Sequence, residues 1–286
     1  IDAARAFELI VLGLAKKVVV ANYLAVQLVD PVFDSPGLHG GLGALLAVYG
    51  YAAQIYCDFS GYTNIAIGSA LLLGYRFPEN FRSPYLASSP QDFWRRWHVS
   101  LSTWLRDYLF IPLGGSHGGR VRTLFNLALT MVLGGLWHGA AWSFVAWGAL
   151  HGAALVVHRL WSGSQAGWIR GVRGWRGWPV AARLLTFHLV CAGWVLFRAP
   201  TFGAAGELFA ALGSGFSVGP WLTLPLLLAL AAGLAGQAVP AAWRDALRAR
   251  LAAWPLAAQG ALVAAAVLLI EILGPQGVAP FIYFQF

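Results

Sequence analysis

A chain of 286 residues that is 59% hydrophobic and only 10% charged lies far from the roughly one-quarter charged make-up of a soluble domain. With 14 Trp and 34 Gly it has the composition of a membrane protein, in which Gly is frequent in helices and Trp gathers at the interfaces. The net charge of +8 resides in arginines set between apolar runs, which points to loops facing an anionic leaflet rather than to nucleic acid.

The chain opens on Ile1 within an apparent helix and shows no signal peptide, as a fragment lacking its N-terminal part would. Residues 5–29 are apolar but carry Glu8, Lys16 and Lys17. A deep span would hold that lysine pair only by snorkelling, so a short, tilted or interfacial helix is expected, ended by Asp30-Pro31, with a loop over 30–41. Residues 42–57 predict a helix that meets the polar join Asp58–Asn64 and then a second apolar run, Ile65 to Leu73. Two helices, or one broken helix, fit this pattern. Gln54 and Asp58 share a face. A carboxylate there is costly unless paired or protonated, or else it caps the following helix start. Cys57 and Cys191 lie far apart in apolar stretches, without metal or disulfide spacing, and are expected to be small buried residues.

Residues 75–119 change character: five arginines and four prolines appear, and no run of about 20 apolar residues fits. Ser89-Pro90 predicts a helix start, with Ser89 as N-cap and Pro90 at N1. The helix that follows mixes Phe93, Trp94, Trp97 and Leu101 with Arg95, Arg96 and His98, and is expected to lie in the interface or to re-enter the protein. Spans are predicted at roughly 121–137, 140–158, 182–198, 221–239 and 255–273. The arginine-rich loops then fall on one side, which the positive-inside rule makes cytoplasmic. The connection at 137–140, with His138, faces outward or opens into an outward cavity.

The stretch Gly134-Gly135-Leu136-Trp137-His138-Gly139 places one imidazole in an apolar run. A titratable side chain at bilayer depth is a functional candidate by default, although a histidine merely hydrogen-bonded in a helix bundle gives the same pattern. His151 lies thirteen residues further on, about 20 Å along a straight helix, so direct pairing with His138 is not expected unless the helix starts late or breaks. His188 is expected as a core histidine with one hydrogen bond. Zinc, phosphate-loop, dinucleotide and serine-elbow motifs are missing, so no metal and no bound cofactor is expected. What remains is His98, His138 and a buried-looking Asp58. A histidine base can take a proton from a hydroxyl without a metal, which fits acyl transfer to an alcohol. It equally fits a proton-coupled transporter, and a non-catalytic scaffold for a periplasmic transferase is a third possibility.

Four segments together resemble the membrane-bound O-acyltransferase family, in its bacterial branch of alginate O-acetyltransferases and the teichoic-acid D-alanyl transfer protein. They are Gly13–Ala21; Asp58-Phe59-Ser60-Gly61-Tyr62-Thr63-Asn64 with Ile65–Gly68; Asn80–Tyr85 through Asp92-Phe93-Trp94-Arg95-Arg96-Trp97-His98 to Leu113-Gly114-Gly115; and Gly135–Ala140 followed by Trp147–Gly152. The ending Phe281-Ile282-Tyr283-Phe284 is similar to that of the alginate-type branch. Asn64 stands where alginate-type members often carry Asp, which leaves the acceptor open.

The resemblance implies an all-α polytopic fold, a ring of tilted helices with interfacial and re-entrant elements. Residues 1–286 would form a single domain that lacks its N-terminal helices. It implies a bacterial cytoplasmic-membrane enzyme that passes an acyl group from a cytoplasmic thioester, such as acetyl-CoA, to hydroxyls of an exported polysaccharide or cell-wall polymer. Transfer would be direct or through a periplasmic acetyltransferase partner. His138 would be the general base, and His98 would orient the thioester or steady the oxyanion. Trp94, Arg95, Arg96 and Trp97 would shape the chamber, and Asp58 and His151 would support it, with Asn64 and Trp137 also facing the substrate channel.

Overall fold

The computed structural model describes residues 2–215, 218, 219, 221–274 and 281. Among them the chain is helical, with no strand. In order the helices are α1 (Ala3–Asp34), α2 (Gly40–Leu72), α3 (Pro90–Trp94), α4 (Val99–Leu105), α5 (Gly119–His138) and α6 (Trp142–Gly163). Then come α7 (Gly167–Gly174), α8 (Trp178–Arg198), α9 (Phe202–Leu212), α10 (Leu224–Ala235), α11 (Ala241–Ala252) and α12 (Leu256–Leu273). They fall into two compact units, Ile1–Glu79 with Ala210–Phe286, and Asn80–Phe209.

The first unit is built on the crossing of α1 and α2, and both helices are longer than the sequence pattern predicts. α1 does not stop at Asp30-Pro31. Pro31 lies inside the helix, directly after the π turns at Ala25–Val29, and does not end it. The helix widens into π turns at Ala15–Ala21 and Ala25–Val29. Its lysine pair does not snorkel. Lys17 forms an ion pair with Asp58 of α2, whose residue exposure is 2%, and the Lys16 ammonium lies 5.3 Å from the centre of the Tyr56 ring.

α2 is likewise one unbroken helix, and Asp58 is mid-helix rather than a cap. The polar join read as a break is a contact surface. A Cβ on Gly13 would lie 2.6 Å from the Gly61 carbonyl oxygen, one on Gly61 2.8 Å from that of Gly13, and one on Gly68 2.6 Å from that of Ala6. Small residues at such spacing let two backbones touch, the packing that operates between helices in lipid. The predicted span at 221–239 is a shorter α10 that bends by 100° into α11. Arg248 of α11 returns to α1, its Nε donating to Glu8 at 2.7 and 2.9 Å. Of the aromatic ending only Phe281 lies within the described residues, where its ring stacks on Tyr62 at 4.5 Å.

The second unit uses the same device. Gly135, Gly148 and Gly152 bring α5 and α6 together as a hairpin. A Cβ on Gly148 would run into the Met131 carbonyl, and one on Gly152 would lie 3.1 Å from Ala128 Cα. Asn126 of α5 donates to the carbonyls of Leu113 (3.1 Å) and Gly115 (3.2 Å), which ties down the glycine loop ahead of the helix. Cys57 and Cys191 are free and buried. His188 Nδ1 lies 2.7 Å from Leu184 O, but the residue is on the exposed side of α8 rather than in the core.

By length and composition α1, α8 and α12 can each cross a membrane, and the bent pair α10–α11 makes up to four. The predicted spans at 121–137 and 140–158 correspond to α5 and α6. At 20 and 22 residues these have the length, but Asn126, Thr130 and His138 on one and Ser143, His151 and His158 on the other leave them short of that apolar measure.

Candidate active site

The site is assembled within the second unit from a short helix, a strained turn and the tip of the α5–α6 hairpin. The predicted start at Ser89 is correct: its Oγ accepts from Asp92 N at 3.1 Å. The long helix expected to follow does not form. α3 ends after Trp94, and the backbone passes through His98 at φ 45°, ψ 55° before α4 begins. A β-carbon makes that left-handed conformation costly, so the neighbourhood must hold it. Asn80 does much of this. Its carbonyl accepts from Val99 N at 3.0 Å and its Oδ1 accepts from Ser100 N at 3.1 Å. Arg82 N donates to Arg96 O at 2.9 Å, and Arg96 Nε donates to Asp92 at 2.8 Å. Arg96 thus braces the turn, while Arg95 is exposed.

The turn directs Trp94 and Trp97 inward. Trp97, 2% exposed, stacks on Phe93 at 5.7 Å and leans on Trp194 at 4.9 Å. Trp94 meets Trp147 and His151 edge-on at 5.7 and 5.2 Å. His151 is completely buried, stacked on Phe93 at 6.0 Å and set against Trp147 at 5.0 Å. Neither His151 ring nitrogen has a hydrogen-bond partner among the described residues, nor do the indole nitrogens of Trp94 and Trp147. Space for the imidazole exists only because position 193 is glycine: a Cβ there would lie 2.8 Å from His151 Nε2.

His138 is the last residue of α5. Its Nδ1 lies 2.6 Å from the Gly134 carbonyl oxygen. Its ring is caged by Trp137 and Trp147, each at 5.0 Å, and by Phe197 at 5.4 Å. Trp137, though 60% exposed, is therefore part of the cage. α6 starts at Trp142, so His151 comes back to the level of this cage, and Trp147 touches both histidines. His98 is close enough for the charge of His138 to bear on it. Burial first and that charge second pull its pKa down to about 3, so it is neutral at physiological pH.

Of the residues singled out from the sequence, Trp94, Trp97, His98, Trp137, His138 and His151 lie together in this unit. Asp58 and Asn64 belong to the other: Asp58 is engaged with Lys17 and Asn64 is half-buried on α2. Four participants carry no sequence signal that assigns them a role. Asn80 and Ser100 are twenty residues apart and meet only because the turn folds back. Phe197 and Gly193 read as ordinary span residues until α8 packs on α6.

A family model for the membrane-bound O-acyltransferases matches residues 8–195. The chain belongs to the membrane-bound O-acyltransferase family. It is 45% identical over 222 residues to a probable alginate O-acetylase of Pseudomonas syringae pv. tomato, covering 78% of this chain and 40% of that protein. It is also 42% identical over 194 residues to a peptidoglycan O-acetyltransferase of Helicobacter pylori, covering 68% and 36%. To a teichoic acid D-alanyltransferase of Bacillus subtilis it is 33% identical over 170 residues, covering 56% and 42%. The chain thus spans about two-fifths of the length of these relatives.

Proposed function

We propose that this chain carries the acyl-transfer centre of a multi-pass enzyme of the bacterial cytoplasmic membrane. The enzyme moves an acetyl group from a thioester donor on the cytoplasmic side to hydroxyls of an exported polysaccharide or cell-wall polymer, directly or by way of a periplasmic partner. Support for the chemistry class comes from the family and from relatives whose names specify acetyl or D-alanyl transfer to alginate, peptidoglycan or teichoic acid.

The observation that carries the mechanism is the bond from His138 to Gly134. A carbonyl can only accept, so Nδ1 holds the ring proton and donates at 2.6 Å. Nε2 is then the basic nitrogen. In the reaction Nε2 takes the proton from the acceptor hydroxyl as its oxygen attacks the thioester carbonyl carbon. The tetrahedral oxyanion collapses, the carbon–sulfur bond breaks, and the imidazolium returns the proton to the departing thiolate. The oxygen ester and a free thiol result. Trp147 and Phe197, both buried, shield one side of the ring from water, which strengthens the electrostatics of the transfer and suppresses hydrolysis of the thioester.

General-base help of this kind contributes about 10²–10⁴-fold. The test is ester-linked acetyl on the exported polysaccharide, in cells lacking the protein and complemented with the intact protein or with His138→Ala at equal membrane level. Acetylation lost in the variant is the expected outcome. Equal acetylation in both would remove His138 as the base.

A further inference from the structure

The bonds around Asn80 bear on which nitrogen of His98 carries its proton. An amide oxygen and nitrogen look alike by shape, but here a backbone decides. Ser100 N can only donate, and it points at one Asn80 side-chain atom at 3.1 Å. That atom must be the oxygen. The Ser100 hydroxyl donates to the same oxygen at 3.0 Å, which leaves the hydroxyl oxygen as an acceptor. His98 Nδ1 faces both, at 3.4 Å from Asn80 Oδ1 and 3.3 Å from Ser100 Oγ. A bare Nδ1 would set its lone pair against Asn80 Oδ1, and would find a donor only if the Ser100 hydroxyl gave up its bond to that oxygen. A protonated Nδ1 shares its hydrogen between the two oxygens. Nε2 is therefore the basic nitrogen in the neutral ring.

We infer that Asn80 and Ser100 are positioning residues that fix His98 as a hydrogen-bond acceptor toward substrate. In that state His98 orients a substrate O–H through Nε2 and cannot donate to the oxyanion. This rests on the acyltransferase reading above and changes one role within it, since the resemblance assigns His98 to the thioester or the oxyanion. It also accounts for the left-handed backbone at His98. The same Asn80 whose oxygen sets the tautomer uses its own carbonyl to hold Val99 N at 3.0 Å, so one residue fixes both the turn and the proton. Among the described residues a titratable group that bears on His98 is His138, from the end of α5. Asn80 and Ser100 are neutral, and Arg96 on its own segment is engaged with Asp92.

The tautomer can be read directly, without turnover, from imidazole ¹⁵N shifts of the intact protein in lipid nanodiscs with labelled histidine. The His98 signal is assigned by its loss in His98→Gln. A bare Nε2 and a protonated Nδ1 are expected, and this order is lost in Asn80→Ala. A bare Nδ1 overturns the inference. The activity arm uses Asn80→Asp, which keeps every acceptor. Its carboxylate raises the His98 pKa, so a ring needed as an acceptor is lost to protonation earlier. The acid limb of the rate profile for transfer from acetyl-CoA moves up by at least one pH unit, and kcat above that limb stays within about three-fold of wild type. Asn80→Ala loses at least ten-fold in kcat with little change in KM. An unmoved limb shows that transfer does not need an unprotonated His98 and sinks the inference, and activity that rises as pH falls makes His98 a donor and sinks it as well. If His138→Ala transfers as well as wild type, the underlying reading falls while the tautomer result stands.

Discussion

The two units solve the same packing problem alike and the same polar problem differently. α1 with α2, and α5 with α6, meet through glycines whose missing β-carbons let backbone touch backbone. Each unit also buries polar chemistry beside that contact. In the first it is a charge of each sign, Lys17 against Asp58. In the second it is neutral nitrogen: the two histidines that present a basic Nε2, and a core of His151, Trp94 and Trp147 whose nitrogens have no acceptor among the described residues. A matched pair has nothing left to offer a substrate. The buried nitrogens of His151, Trp94 and Trp147 carry a cost in stability of about 1–3 kcal/mol for each group left unsatisfied.

Lys17→Met is the sharpest way to break this contrast, because it leaves the Asp58 carboxylate buried without its cation. Removing one member of a buried pair costs about 3–5 kcal/mol, so thermal unfolding of the purified protein should fall steeply. Lys17→Met with Asp58→Leu should recover most of that stability, since apolar replacement of both partners is often neutral, and acyl transfer should return with it. A stable double variant without transfer would show that the pair does more than join helices.

Matched glycine substitutions come next. Gly61→Ala and Gly148→Ala each force a methyl against a carbonyl of the facing helix, and overpacking of this kind costs about 1–3 kcal/mol. Both should lower the unfolding temperature by similar amounts. Only Gly148→Ala should also lower transfer beyond its loss of folded protein, because it shifts the helix that ends in His138. Equal losses of specific activity would erase the distinction between the units. Ser89→Ala is the mildest change. It removes the cap of α3, worth about 1 kcal/mol, and should loosen Trp94 enough to give a small drop in stability and a modest one in kcat.

The sequence revealed the site better than the helices that carry it. His98 and His138 stood out because an imidazole in an apolar run is expensive, and that argument needs no structure. The α3 start was legible because Ser89-Pro90 is a local signal. The limits of α1 and α2 were misread for one shared reason. Lys16-Lys17 and Asp58–Asn64 look like interruptions when each strand of sequence is read alone, and become one interface when the two are laid side by side. Pairing of Lys17 with Asp58 spans 41 positions, and no helical period reaches that far. The break at His98 failed differently: the periodicity runs on through it, but Asn80 captures the amides that a continuous helix would have used.

The length of α1 has an electrical consequence. Its 32 residues exceed the roughly 20 needed to cross about 30 Å of hydrocarbon, and the ion cluster of Arg5, Glu8, Arg248 and Asp245 marks where its polar end lies. Lys17 is nine residues further in, about 13 Å along the axis at 1.5 Å per residue, and so close to the middle of the bilayer. A single charge moved across the whole membrane exchanges about 2.3 kcal/mol per 100 mV with the transmembrane potential. Lys17 and Asp58 sit at that depth in the α1–α2 crossing with zero net charge between them, so the voltage of the living membrane exerts no net pull on that pair. A carboxylate left alone there would place the same crossing under the cell's electric field.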